Sequence, residues 1–155
     1  QYADAMANRP PAQWVSPTLG TVLRLVFGQD LFRLQFLPMI AGLVWFAFHW
    51  RNRRSAWNWV DQLPLLLLVS FVTAPYGAWP FDMVLLLPAA IRLVVLRKPA
   101  ILVALVAINL ACLAMNLLET GSFPFIWVSP AMLVLYAIGT RTTAEPTPAL
   151  RMVPA

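Results

Sequence analysis

The sequence predicts an all-α fold: a polytopic transmembrane helical bundle of about five spans, with one short interfacial helix before them. Three observations carry that prediction. Apolar residues make up 61% of the 155 and charged residues only 11%, at a mean hydropathy of +0.73, whereas an ordinary soluble domain carries roughly 25% charged residues. A chain this short and this poor in charge would expose large apolar patches to water; lipid removes the difficulty. Apolar runs near spanning length also alternate with short polar connectors. Finally, Arg51, Arg53, Arg54, Arg97, Lys98 and Arg141 sit at the ends of those runs, as the positive-inside rule requires.

That placement accounts for the net charge of +5 and the pI of 10.4. No basic stripe with interleaved aromatic residues tracks a phosphate backbone, so nucleic acid is excluded as a partner and membrane lipid is expected instead. Cys112, the one cysteine, lies deep in an apolar run, which leaves no intrachain disulfide and no multi-cysteine metal site. The chain opens at Gln1 without Met, basic n-region or h-region. The expectation is therefore the C-terminal part of a longer membrane protein.

Residues 1–33 read as an outer-face loop followed by the interfacial helix. Ser16-Pro17 gives a start signal, with Ser as N-cap and Pro at the first helical position. Leu19, Val22, Leu23, Val26 and Phe27 follow at helical spacing and Gly28 stops the run. At about twelve residues the element is too short to cross a bilayer. Its apolar stripe suits either the membrane interface or packing against the protein's own helices.

The transmembrane region is expected over 34–140, with spans at 34–50, 59–74, 80–96, 100–118 and 123–139. Arg51-Asn52-Arg53-Arg54 closes the first, and Trp57 and Trp59 stand where an aromatic belt would form. The second ends in Thr73-Ala74-Pro75-Tyr76-Gly77-Ala78-Trp79-Pro80, a connector rich in breakers. Pro88 should kink the third. The fourth runs nineteen residues without a formal charge, and Glu119 to Ser122 turns the chain into the fifth. Residues 141–155, with Pro146, Pro148 and Pro154, read as a disordered cytoplasmic tail.

Charge assigns the orientation. With the six basic residues above in the cytoplasm, the opposite connectors carry Asp82 and Glu119 and no Lys or Arg. The C-terminus is then cytoplasmic and residues 1–33 lie outside, where Arg9, Arg24 and Arg33 run against the rule.

Polar residues gather on that outer side. Thr18, Thr21, Arg24, Arg33, Gln35, Tyr76, Trp79 and Asp82 can face one region, where guanidinium forks would suit a lipid phosphate. The alternative is that Arg24 and Arg33 snorkel to headgroups and Asp82 caps the third span. Arg92, inside the third span, reads as snorkelling to the cytoplasmic face. Asn109 and Asn116 read as interhelical hydrogen-bonding groups, and His49 as an interface residue. No Gly-rich phosphate loop, Ser-His-Asp set or HExxH occurs, so no cofactor and no metal are expected.

Two stretches carry a resemblance. WVSPTLGTVLR, from Trp14 to Arg24, precedes SFVTAPYGAWPFDMVLLLP, from Ser70 to Pro88, and Gln35 and Pro38 open the span between them. Together, over about residues 14–90, they resemble the C-terminal half of bacterial membrane glycosyltransferases of family 87, in the GT-C class. The resemblance implies a mannosyltransferase-like enzyme of the bacterial inner membrane that takes a sugar from a polyprenyl-phosphate donor. It implies transfer to an acceptor hydroxyl at the outer face. The catalytic Asp or Glu of that class lies near the N-terminus, so no acid of this chain is assigned to catalysis. Arg24 and Arg33 become candidates for the donor phosphate. Thr18, Thr21, Gln35, Tyr76, Trp79 and Asp82 become candidates for the substrate pocket. The competing expectation is a non-catalytic membrane module, such as a transporter half or an assembly subunit.

Overall fold

The computed structural model describes residues 15–141. The expected loop before residue 15 and the tail after 141 lie outside the described residues. Among the described residues the structure is helical throughout, with six α-helices joined by 3-10 segments and tight turns.

The first helix, α1 (Leu19–Phe27), begins two residues later than the Ser16 signal predicts. Thr18 is the cap: its hydroxyl accepts from the Thr21 amide at 3.3 Å, reaching an N–H that the helix itself leaves unpaired. Gly28 ends α1 at φ 134°, donating to the Arg24 carbonyl at 2.9 Å. A 3-10 segment (Phe32–Phe36) then leads into α2 (Leu37–Arg53). This helix runs past the expected boundary, because Arg51 and Arg53 suit the negative end of the helix dipole.

After the short 3-10 turn Arg54–Ala56, Asn58 caps α3 (Trp59–Thr73) by accepting from the Val60 amide at 3.0 Å. Pro64 lies within α3, where its ring removes one donor from the ladder. The connector that follows holds two successive left-handed residues, Gly77 at φ 85° and Ala78 at φ 56°. It passes into a 3-10 segment (Pro80–Leu86) and then α4 (Leu87–Val95). Pro88 therefore does not kink a continuous helix. It occupies the first turn of α4, where no amide donor is needed, and the change from 3-10 to α falls there instead. Arg97, at φ 51°, turns the chain into α5 (Pro99–Leu117). The 3-10 segment Phe123–Trp127 opens α6 (Val128–Arg141).

Short connectors make successive helices antiparallel. One end of the bundle gathers α1, Gln35 and the connector after α3; the other gathers Arg51 to Arg54, Arg97, Lys98 and Arg141. At the arginine-rich end Lys98 donates to the Gly139 carbonyl at 2.8 Å, which ties the start of α5 to the end of α6. The centre is α3, packed against α2, α4 and α6. Leu68 of α3 and Leu93 of α4 are fully buried, with Ala89, Met132 and Tyr136 around them. Gly42 lets α2 and α3 approach closely: a Cβ there would stand 2.5 Å from the Thr73 hydroxyl.

The outer surface carries many large apolar side chains. Along α5, Val103, Val106, Leu110, Leu113 and Leu117 are all exposed, Leu117 at 73%. Three helical stretches are long and apolar enough to cross a membrane: Phe32–Ala56, Pro99–Leu117 and Phe123–Arg141. The helix Trp59–Thr73 is apolar but shorter.

Candidate functional site

The polar residues predicted for the outer side do not all behave alike. Ser16, Thr18 and Thr21 are buried and bond to one another: the Thr18 and Thr21 hydroxyls are 3.1 Å apart, and Ser16 lies 3.2 Å from Thr21. One turn further along α1, Arg24 points into the protein with only 6% of its surface exposed. It donates through Nη1 to Gln35 Oε1 at 2.5 Å, and Gln35 Nε2 donates to the Pro75 carbonyl at 2.5 Å. The snorkelling alternative for Arg24 is thereby corrected, since its charge is held by a buried amide and not extended toward headgroups.

The face of α1 that packs is the polar one. Gly20, Thr21 and Arg24 are buried, whereas Val26 and Phe27 are 69% and 66% exposed. Gly20 is required at this contact because any Cβ would overlap the Gln35 backbone carbonyl. The apolar stripe divides between its two expectations: Leu19, Val22 and Leu23 are half-buried against the protein, and Val26 and Phe27 face outward.

Aromatic rings border Arg24. Phe32, Phe36 and Tyr76 form a triangle with centroids 5.6, 6.3 and 6.1 Å apart, and the guanidinium carbon lies 5.6 Å from the Phe32 centroid. Burial pushes the Tyr76 phenol above its ordinary pKa, while the nearby Arg24 charge pulls it partly back. The ring thus stays a neutral hydrogen-bonding group at physiological pH.

Asp82 closes the opposite side of the connector. Its Oδ2 accepts from the Trp79 amide at 3.1 Å, and its own amide donates to the Trp79 carbonyl at 2.9 Å. This reciprocal pair is the cap anticipated as the alternative role for Asp82. Trp79 is half-buried beside it, and Arg33 lies exposed on the 3-10 segment. The structure therefore joins Arg24, Gln35 and Tyr76, gives Thr18 and Thr21 to a hydroxyl cluster, and leaves Arg33 at the surface. A guanidinium offers five donors in a fixed fork. Oriented by Gln35 and bordered by the Phe32 ring, it is a charge-assisted donor held inside the protein.

A second polar cluster lies at the arginine-rich end. Asp61 Oδ1 is 3.1 Å from Arg92 Nη1, with both side chains partly exposed. His49 Nε2 and Gln62 Oε1 are 2.7 Å apart, and the His49 ring stacks on Trp45 at 4.8 Å. Arg92 reaches the expected end of its span, but a carboxylate of the neighbouring helix holds it there. Sequence reasoning missed Asp61 and Gln62. The available signal was two opposite charges at the same end of consecutive antiparallel helices. Asn109 departs from its interhelical role too, donating to the Leu105 carbonyl of its own helix at 2.9 Å. Among the described residues no three His, Cys, Asp or Glu side chains group as metal ligands would.

The fold and its two polar ends define an all-helical protein with an apolar exterior and three helices fit to cross a membrane. No protein-family model, curated protein or solved structure matches the chain.

Proposed function

We infer that this chain crosses the bacterial inner membrane five times, with the arginine-rich end and the C-terminus in the cytoplasm and the α1 end outside. We further infer that the α1 end handles the phosphate of a lipid-linked sugar donor, as the membrane portion of a glycosyltransferase. The two shorter elements fit this count. The 3-10 segment Pro80–Leu86 and α4 together rise about 27 Å, because a 3-10 turn is stretched relative to an α-turn. The helix α3 rises about 22 Å and ends in the polar residues of its connectors. A hydrocarbon core is roughly 30 Å thick.

One observation carries the functional reading. The two stretches that resemble polyprenyl-phosphate-dependent enzymes lie some fifty residues apart in the chain and meet in space, through Arg24, Gln35 and the Pro75 carbonyl. A buried, oriented guanidinium at the membrane boundary suits a leaving phosphate. The hydroxyl cluster favours the second reading, a non-catalytic membrane module, because Ser16, Thr18 and Thr21 spend their polar atoms on one another.

The test is transfer of a labelled sugar from a polyprenyl-phosphate donor, in membranes holding the protein as its natural reading frame encodes it. Arg24→Ala should lower transfer at limiting donor by about tenfold or more, the worth of one charge-assisted contact. Gln35→Leu breaks the same buried bond while keeping the guanidinium, so it separates loss of fold from loss of phosphate contact. Unchanged donor use by Arg24→Ala would overturn the phosphate assignment. Wild-type membranes that transfer nothing would favour the non-catalytic module.

A further inference from the structure

The arginine-rich end holds a cavity that sugar transfer does not use. It measures about 560 Å³ and is walled by four helices, with Arg53 from α2, Asp61 and Gln62 from α3, Arg92 from α4 and Arg141 from α6. This volume lies within the roughly 300–1,000 Å³ of small-molecule sites. Among its described lining residues three guanidiniums face one carboxylate. That carboxylate, Asp61, is already committed to Arg92 at 3.1 Å, so Arg53 and Arg141 set the sign of the cavity.

The cavity also adjoins an apolar one. A cleft of about 530 Å³ runs between α2, α3 and α6, walled by Ala41, Trp45, Leu65, Val69, Leu133 and Ala137. His49, Leu65, Tyr136, Thr140 and Arg141 line both spaces. Arginines that merely snorkelled would radiate separately from their helices. Here they converge from three helices on one cavity, and Arg141 lines the adjoining apolar cleft as well, a head-and-tail shape.

We propose that this pair of cavities binds one anionic phospholipid of the cytoplasmic leaflet, with its phosphodiester headgroup between Arg53 and Arg141 and one acyl chain in the cleft. Planar guanidinium forks match phosphate oxygens, and basic pockets between membrane helices on the cytoplasmic side take anionic headgroups. A zwitterionic lipid would bring its own cation toward the arginines. The proposal rests on the five-span orientation and not on the glycosyl-transfer reading.

The test uses the protein as its natural reading frame encodes it, purified in detergent, with lipid retention read by native mass spectrometry. Phosphatidylglycerol should be retained in preference to phosphatidylcholine of the same chains, and inorganic phosphate should not compete at equal concentration. Arg53→Gln combined with Arg141→Gln should weaken retention about twenty-fivefold, two headgroup charges at roughly fivefold each. Arg51→Gln combined with Arg54→Gln removes the same charge at the same end, outside the cavity, and should leave retention intact. Ala137→Phe should weaken it with every arginine in place, by filling the cleft. Equal retention of the two lipids, or equal losses from the two arginine pairs, would overturn the site. Indifference to lipid charge is also what a further helix or a second copy in the cleft would give. Competition by inorganic phosphate would overturn the acyl-chain half. Release of the wild-type protein from membranes by alkaline carbonate would overturn the membrane orientation itself, whereas a failed sugar-transfer assay leaves the lipid site standing.

Discussion

Gln35 joins α1 to the connector after α3 with a single side-chain amide. Its oxygen accepts from Arg24 and its nitrogen donates to the Pro75 carbonyl, and the side chain is wholly buried. Gln35→Leu keeps the volume but removes the acceptor that Arg24 uses, so unfolding in detergent should show a loss of about 3 kcal/mol. Tyr76 gives a second prediction. Burial raises its pKa and Arg24 lowers it by less, so the folded protein holds the phenolic proton more tightly than the unfolded chain. That preference contributes stability in full below the unfolded pKa of about 10 and is lost as pH rises through the higher folded value. Phenolate absorbance, compared between wild type and Tyr76→Phe, should show Tyr76 titrating above an ordinary tyrosine. A titration at or below that value would refute the burial argument.

Helix α1 has nine residues, too few to hold its shape alone. What fixes it is the contact at Gly20, where backbone meets the Gln35 backbone without room for a methyl group. Because the obstacle is a carbonyl and not a flexible side chain, Gly20→Ala should displace α1 and cost about 1–3 kcal/mol by overpacking. Protease protection of the segment before Leu37 should fall in that variant, while the later helices keep theirs. The same element shows what a hydropathy stripe leaves open. Only the C-terminal part of the stripe, Leu25 to Phe27, faces outward as a surface that lipid can cover, and the fully buried contact is made by glycine, threonine and arginine.

At the scale of the molecule, antiparallel helices with an apolar outer surface make a topology that can be mapped. In a Cys112→Ala background, cysteines placed at Ser55 and Arg97 should react with an impermeant thiol reagent from one face of the membrane. Those at Gly77 and Thr120 should react from the other. Labelling of all four from a single face would sink the five-span orientation and leave the three long helices to be arranged differently.

The sequence by itself located most helix ends to within a few residues, though not the passage from 3-10 to α at Leu87. Proline, glycine and capping residues act on their own turn, and apolar composition is a property of each segment alone; hence the close agreement at Gly28, Thr73 and Pro99. Cap choice was less legible, because Ser16 and Thr18 carry the same hydroxyl and only the backbone path shows which one reaches the Thr21 amide. For the candidate site, the sequence supplied Arg24, Gln35 and Tyr76 as polar or aromatic residues at one end of the bundle. Only the tertiary structure decided that Arg24 turns inward to Gln35, that Arg33 stays at the surface, and that Arg92 finds Asp61. Those outcomes depend on how each helix is rotated about its axis against its neighbours, and that rotation is set by contacts such as Gly20 on Gln35 and Gly42 on Thr73. Such contacts join residues far apart in the chain, so no local pattern carries them.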